Sequence, residues 1–274
     1  MNELAPDFAL IIVAGGTGSR LAQPQKKAFV ELAGAPLLQH TLRAFENLPG
    51  LAETVIVMPA EELKAHTGHD TRAETAKLPK HATDFARALG GLGATRFVVG
   101  GRRRQDSVLN GLWATSELPF VMIHDAARPF VTQDELLRLM TATRKHGAAI
   151  LAHPVRDTIK RVKDGAITET VSRADLWAAQ TPQAFRREML LRALQKHNAV
   201  DLTDDAAAVA LDGASCQVVT GSAGNFKLTT PEDIEVAESL LALRAARNGD
   251  VRPASAVFRK IGSHTIFDVQ PPSH

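Results

Sequence analysis

Residues 14–27 hold the densest chemistry in the chain: Ala14-Gly15-Gly16-Thr17-Gly18-Ser19-Arg20, then Lys27 a short way on. Glycines let the backbone bend tightly and approach a ligand with no Cβ in the way. Their N–H groups can turn into one concavity and bind an anion. Arg20 and Lys27 add full positive charge on the far side of the same loop, and the combination suits a triphosphate. The spacing departs from two commoner phosphate loops. A dinucleotide fingerprint needs glycine where this chain has Leu21, and the Walker-type loop needs Gly-Lys-Ser/Thr, which is absent. Many strand-to-helix turns carry two glycines for geometry alone, so the pairing with Arg20 and Lys27 is what favours phosphate.

Further polar clusters recur along the chain. Gly100-Gly101-Arg102-Arg103-Arg104-Gln105-Asp106-Ser107 offers glycine backbone and the Ser107 hydroxyl to a nucleobase edge, while Arg103 reads equally as part of a solvated basic turn. In His124-Asp125-Ala126-Ala127-Arg128-Pro129 the carboxylate of Asp125 can approach a metal–phosphate complex directly or through water, or simply pair with Arg128. The small Ala126 and Ala127 leave room for a ligand. Thr158 in Asp157-Thr158-Ile159-Lys160-Arg161, Arg173 after Ser172, Thr181 in Gln180-Thr181-Pro182-Gln183 and Thr203 in Leu202-Thr203-Asp204-Asp205 supply hydroxyls and charge suited to a phosphate monoester. Thr-Asp-Asp is also an ordinary helix cap. Lys227, in Asn225-Phe226-Lys227-Leu228-Thr229, is one more cation, or else a surface lysine. No Ser-His-Asp order or paired glycosidase carboxylates stand out, and His66, His69 and His81 match no compact zinc-ligand spacing.

The elements that position these groups follow from hydrophobic pattern. Short apolar runs at 9–13, 54–58, 96–99, 120–123 and 148–152 read as buried strands. Helical patterns fall between them, at 37–48, 105–117 and 133–146, the last opened by the capping box Thr132-Gln133-Asp134-Glu135. Alternating strands and helices predict an α/β fold with a mostly parallel sheet covered on both faces. Ligands of such sheets bind beyond the carboxyl ends of the strands, where the glycine loop, Gly100-Gly101 and Asp125 all fall. Residues 60–95 read as a polar, helical insertion. Residues 154–172 read as a two-stranded arm around the turn Asp164-Gly165. Such an arm cannot bury its apolar faces alone and wants a partner, a second copy of the chain, unless it folds back on its own domain. Helices at 187–196 and 204–211, a strand at 216–219 and a final helix from Thr230-Pro231-Glu232-Asp233 complete an 8–247 domain, with 248–274 a loosely held tail.

Composition narrows the class. The chain has 274 residues, 45% of them hydrophobic, a net charge of +2 and one cysteine, Cys216. That describes an ordinary soluble globule without an internal disulfide. The near-neutral balance argues against broad nucleic-acid or anionic-membrane binding. No apolar stretch reaches the length of a membrane span, and residues 1–8 show no signal-peptide pattern, so a cytoplasmic address is expected.

Taken in order, the glycine loop with Arg20 and Lys27, Gly-Gly…Asp-Ser-Val, His-Asp-Ala-Ala-Arg-Pro, Asp-Thr-Ile-Lys-Arg, Gln-Thr-Pro-Gln, Thr-Asp-Asp-Ala and Asn-Phe-Lys-Leu-Thr-Thr-Pro-Glu-Asp resemble the 2-C-methyl-D-erythritol 4-phosphate cytidylyltransferase family from about Leu10 to Leu243. The resemblance implies a Rossmann-like nucleotidyltransferase fold and a homodimer joined through the β-arm. It also implies CTP and methylerythritol phosphate as substrates, with Mg²⁺ held mainly by the CTP phosphates. Carried over by position, it implies that Ala14, Gly15, Gly16 and Gly18 wrap the triphosphate while Arg20 and Lys27 stabilise the α-phosphorus. Gly101, Arg102 and Ser107 would meet cytosine, with Ala126 bordering the nucleotide. Asp125, Arg128, Thr181 and Thr203 would face the methylerythritol phosphate, joined by Thr158 and Arg173 from the second subunit. Arg173 and Lys227 would aim the attacking oxygen. Three positions depart from the family pattern: Val13 and Gly15 in Val13-Ala14-Gly15, where Pro-Ala-Ala is usual, and Arg102, where Asp is usual. Phe267-Asp268-Val269 is similar to the start of a cyclodiphosphate synthase fused to some members, but lacks its following metal-binding His, so no second active domain is expected. The readings to separate from this one are a cytidylyltransferase for another polyol phosphate, such as ribitol 5-phosphate, and a catalytically weak nucleotide-binding paralogue.

Overall fold

The computed structural model describes residues 6–15, 27–67 and 94–247. Strand β1 (Phe8–Val13) is apolar throughout because both of its faces are covered. Phe8, Leu10 and Ile12 enter one core, and Ala9 and Ile11 enter the other. In chain order there follow a 3-10 turn at Lys27–Phe29, β2 (Glu31–Leu32), β3 (Ala35–Pro36), α1 (Leu37–Arg43), β4 (Leu51–Met58), α2 (Ala60–Thr67), β5 (Ala94–Val99), α3 (Arg104–Ala114) and β6 (Phe120–Asp125). The second half holds α4 (Gln133–His146), β7 (Ala148–Pro154), β8 (Ile159–Lys163), β9 (Ala166–Val171) and β10 (Trp177–Arg186). It closes with α5 (Arg187–Lys196), α6 (Asp205–Leu211), β11 (Gln217–Thr220) and α7 (Pro231–Arg247).

Among the described residues, seven strands form one sheet in the order β11-β7-β10-β6-β1-β4-β5. Every neighbouring pair is parallel except those made by β10, which runs antiparallel to both β6 and β7. Helices α1 and α4 cover one face, and α3, α5 and α6 cover the other. A smaller core of Leu32, Leu37, Phe130, Leu228 and Ala237 ties α7 to the β2–β3 hairpin. The expected capping box of α4 is present: the Thr132 hydroxyl accepts from the Glu135 N–H at 3.3 Å, and the Glu135 carboxylate accepts from the Thr132 N–H at 2.8 Å. Gly147 ends that helix at φ 85°, a conformation glycine adopts without steric cost.

Register places the site. Val13 lies opposite Asp125 on β6 and Val57 on β4, and Met58 lies opposite Val99. The residues that follow, Ala14 and Gly15, Ala126, and Gly100 and Gly101, therefore leave the sheet at one edge. Because β10 is antiparallel, its early residues Gln180 and Thr181 come to that same edge.

Two expectations need amendment. Helix α3 stops at Ala114 rather than residue 117, because the Ser116 N–H and hydroxyl both turn to the buried carboxylate of Glu53, at 2.6 and 3.0 Å. Strand β10 had no counterpart in the apolar pattern. Buried Gln180, Thr181 and Gln183 interrupt its hydrophobic run, Pro182 lacks an N–H for the ladder, and the register with β7 shifts between Ala179 and Gln183. The start of the 60–95 segment is helix α2, while 68–93 and the 248–274 tail lie outside the described residues.

The 154–172 arm is a separate two-stranded sheet of β8 and β9, turning at Asp164 (φ 51°) and Gly165 (φ 80°). Val162 and Ile167 face each other across it and are 57% and 65% exposed. On α3, a Cβ built on Gly111 would fall 2.6 Å from Cγ2 of Ile11 and 3.1 Å from Cγ2 of Val57. Gly111→Val should therefore destabilise the fold by about 1–3 kcal/mol through overpacking, seen as a lower denaturant midpoint at unchanged slope. A variant that unfolds with the wild type would contradict this close helix–sheet approach.

Candidate functional site

Asp125 ends β6, and its carboxylate is the junction of the site. Lys227 donates to Oδ2 at 2.7 Å, Arg104 donates through Nε to Oδ1 at 3.3 Å, and Nε of Arg128 lies 3.9 Å from Oδ2. Each cation comes from a different element. Arg104 opens α3 directly after the Gly100-Gly101 turn. Arg128 follows β6. Lys227 is held because the Leu228 N–H donates to the Ala127 carbonyl at 2.9 Å and the Leu228 side chain is buried. Burial by itself would raise the Asp125 pKa, but Arg104 and Lys227 outweigh it and hold the carboxyl well below the usual range. For Arg104, the same burial is outweighed by Asp205 and Asp125, so its charge is secured.

The backbone around Asp125 is fixed as tightly. Its N–H donates to the Thr181 hydroxyl at 3.0 Å, and that hydroxyl lies 3.1 Å from Nδ1 of His124, whose Nε2 is 2.9 Å from the Arg128 carbonyl. The carbonyl can only accept, so Nε2 carries the imidazole proton and Nδ1 accepts from Thr181. Arg128 donates to the Asn225 carbonyl at 2.8 Å, and Asn225 donates to the Thr181 carbonyl at 2.9 Å. Among the described residues, one buried donor of this network stays unmet: Nε of Arg128 has no hydrogen-bond partner.

The glycine segments lie alongside. The Ala14 N–H donates to the Val57 carbonyl at 2.7 Å, and the Ala126 N–H to the Val13 carbonyl at 3.1 Å. The buried Ser107 hydroxyl accepts from the Gly101 N–H at 3.0 Å, and a Cβ on Gly15 would come within 4.0 Å of it. Gly101 tolerates no side chain, since its Cβ would sit 2.3 Å from that of Asp106.

Of the residues singled out in the sequence, Ala14, Gly15, Gly101, Ser107, Asp125, Ala126, Arg128, Thr181 and Lys227 gather at this edge. Lys27 opens the short 3-10 turn, and Arg102 is exposed beside Gly101. Thr203 is exposed just before α6. Thr158 and Arg173 belong to the arm region, where both are exposed and Arg173 donates to the Arg156 carbonyl. Gly16, Gly18 and Arg20 lie outside the described residues. Arg103 is structural: it pairs with Asp106 at 2.7 Å and also holds the Asn198 carbonyl at 2.8 Å. Sequence reasoning missed Arg104, whose guanidinium also reaches Asp205 at 2.8 Å, and His124 as a buried spacer. Three consecutive arginines carry no mark of which one turns inward. Among the described residues no three His, Cys, Asp or Glu side chains converge to hold a metal ion.

Residues 8–243 match the family profile of 2-C-methyl-D-erythritol 4-phosphate cytidylyltransferase. The chain belongs to this family. A cytidylyltransferase of that name from Halalkalibacterium halodurans is 42% identical over 243 residues, covering 88% of this chain and all (100%) of the relative. One from Bacillus cereus is 39% identical over 236 residues, covering 85% and 97%. The crystal structure of the Thermus thermophilus cytidylyltransferase aligns with TM-score 0.65 at 32% identity, over 84% of this chain and 97% of that one. The Anaerococcus prevotii 4-diphosphocytidyl-2C-methyl-D-erythritol synthase aligns at 0.69 and 27%, over 85% and 95%. These alignments bear out the nucleotidyltransferase fold and its mostly parallel sheet.

His124 gives this cytidylyltransferase-family site a pH signature. Its ring is fully buried, and that burial lowers its pKa from 6.5 to about 4. The folded ring thus stays neutral while the unfolded one takes up a proton near 6.5. Stability is unaffected above that pH and falls as pH drops from 6.5 to about 4, by about 3 kcal/mol from this group. Denaturant titrations across that window should show the loss, and His124→Asn, less stable at pH 7, should lack one proton's share of the slope. An equal slope in the variant would place the titration elsewhere.

Proposed function

We infer that this chain transfers the cytidylyl group of CTP to 2-C-methyl-D-erythritol 4-phosphate, giving 4-diphosphocytidyl-2-C-methyl-D-erythritol and pyrophosphate in the non-mevalonate isoprenoid pathway. The observation that carries the reading is the convergence of Lys227, Arg128 and Arg104 on Asp125, with an unmet Arg128 donor, beside two glycine turns at one sheet edge. In the reaction a phosphate oxygen of the polyol bonds to the α-phosphorus of CTP. The bond from that phosphorus to the bridging oxygen breaks, and pyrophosphate leaves with the electron pair. Both partners are anions, so repulsion and misorientation are the obstacles. Fixed cations lower both.

Residue roles follow that chemistry. Ala14, Gly15, Gly16 and Gly18 line the triphosphate, with Arg20 and Lys27 at the α-phosphoryl oxygens. Gly101, Arg102, Ser107 and Ala126 border cytidine. Lys227, tethered by Asp125, reaches the attacking phosphate, and Arg128, Thr181 and Thr203 border the polyol. The Asp125 carboxylate is bonded to cations, so Mg²⁺ would be held mainly by the CTP phosphates, where it would supply charge neutralisation. A homodimer joined through the arm brings Thr158 and Arg173 of a second copy to the polyol phosphate. The exposed pair Val162 and Ile167, together with Leu176 and Trp177 at 36% and 42% exposure, supports a partner on this arm. The domain runs over 8–247 and works in the cytoplasm, with no nucleic-acid or membrane partner. Among the described residues no helix is long and apolar enough to cross a membrane.

A pyrophosphate-release assay tests the reading. Release should need CTP and methylerythritol phosphate, and should be weak with UTP, ATP or ribitol 5-phosphate. CTP binding with no release would favour a weak paralogue, and preference for ribitol 5-phosphate would reassign the acceptor. Lys27→Ala and Lys227→Ala should each lower turnover by roughly 100-fold or more, the scale of losing one preorganised charge-stabilising donor; near-normal turnover would remove that lysine from the mechanism. Ile167→Asp should shift the mass seen by light scattering from dimer to monomer and cut activity with it. An active monomer would sever the arm from the site.

A further inference from the structure

Asp205 touches nothing proposed to bind a ligand, yet it is 1% exposed and pairs with Arg104 of the same cluster at 2.8 Å, a contact that opposes the upward push of burial on its carboxyl pKa. We propose that Asp205 is a positioning residue for Lys227, acting through Arg104 and Asp125, an inference that rests on the function proposed above. The path is continuous. Oδ2 of Asp205 accepts from Arg104 at 2.8 Å, Arg104 donates to Oδ1 of Asp125 at 3.3 Å, and Oδ2 of Asp125 accepts from Lys227 at 2.7 Å. Each Asp125 oxygen thus has its own closest cation. Where Arg104 sits sets the tilt of the carboxylate, and the tilt sets the ammonium of Lys227.

The far end of the path is anchored. Gln183 on β10 accepts through Oε1 from the N–H groups of Asp205 and Ala206, at 3.1 and 3.0 Å, and donates through Nε2 to Asp204 at 2.8 Å. Asp204 in turn caps α6 by accepting from the Ala207 N–H at 2.9 Å. The first turn of α6 is therefore clamped to the sheet, and Asp205 has no freedom to follow Arg104 elsewhere.

Stability alone does not account for the arrangement. Among the described residues, Oδ1 of Asp205 is buried with no hydrogen-bond partner, and a buried unmet polar atom is a cost to folding. An apolar residue at this place would avoid it. Asp205 does something a neutral residue cannot. It shares the charge of Arg104, which would otherwise rest wholly on Asp125 and compete there with Lys227. Among the described residues, three cations face two carboxylates when Asp205 is ionised, an excess of one positive charge. Neutralising Asp205 would add a second and push Lys227 outward.

The test is steady-state pyrophosphate release by the full chain carrying Asp205→Asn, with wild type alongside, on CTP and methylerythritol phosphate. The expected result is a fall in kcat of about 10- to 100-fold, the scale of a small misplacement of a reacting group, with the KM for CTP within about twofold of wild type, because the nucleotide loops are untouched. Turnover is counted per CTP-binding site, so a packing defect alone, which lowers only the number of folded molecules, would leave kcat per site unchanged. If Asp205→Asn does not fold, Arg104→Lys serves instead: an ammonium is a point charge that cannot span two carboxylates, and it should give the same split. Unchanged kcat in the folded variant beside an active wild type overturns this inference alone. A wild type that releases no pyrophosphate overturns the function and this inference with it.

Discussion

A carboxylate taken out of water must be compensated by charge, and Asp125 is the place where this fold meets that demand. Burial of an unpaired carboxylate is costly by several kcal/mol even after relaxation, so the chain has to bring cations to the end of β6. It does so from three directions: the first turn of α3, the loop after β6, and the segment before α7. Loops with little in common otherwise are thereby pinned at one sheet edge. The edge is also where parallel strands in α/β sheets leave their ligand crevice. What stabilises the carboxylate inside the fold is the same set of charges that an incoming phosphate would use.

The antiparallel strand β10 connects this edge to the arm. The chain leaves β7, makes the β8–β9 hairpin, and returns through β10 beside β6. Trp177, at the start of β10, is exposed near the arm, and Thr181, four residues on, supports the backbone of Asp125. A partner on the arm and a ligand at the edge therefore bear on one strand. Had β10 been parallel, Gln180, Thr181 and Gln183 would have emerged at the opposite end of the sheet. The reversal explains why residues so late in the chain help to build a site that starts at residue 14.

Much of this was legible in the sequence, for identifiable reasons. Strand β1 is an unbroken apolar run because both faces are covered. Helix α4 declares itself through Thr132, Glu135 and Gly147, and the arm turn through Asp164-Gly165. These are local signals, carried by neighbouring residues. Strand β10 was hidden because its middle is polar and buried, serving the site rather than the core. Arg104 and Asp205 were hidden for a related reason. They pair across 101 positions, and nothing local distinguishes Arg104 from Arg103, which pairs with Asp106 three residues away. The Thr-Asp-Asp run read as a helix cap is one, but only Asp204 caps. Asp205 faces inward.

The same geometry limits the chemistry open to the site. A general base needs a lone pair that binds a proton near the working pH. Asp125 has surrendered that affinity to Arg104 and Lys227. His124 is neutral, but Nε2 is committed to the Arg128 carbonyl and Nδ1 to Thr181, with the ring fully buried. Neither can accept a proton from a substrate. What remains is placement and charge: cations at fixed distances, an unmet donor on Arg128, and glycine turns that let backbone amides come close. Those are the means required when the nucleophile is already ionised, as a phosphate monoester is near neutrality. A reaction between two anions asks for little acid–base catalysis and much preorganised positive charge. The buried network around Asp125 supplies that charge through its own internal pairing, so the cations are in place before any ligand arrives.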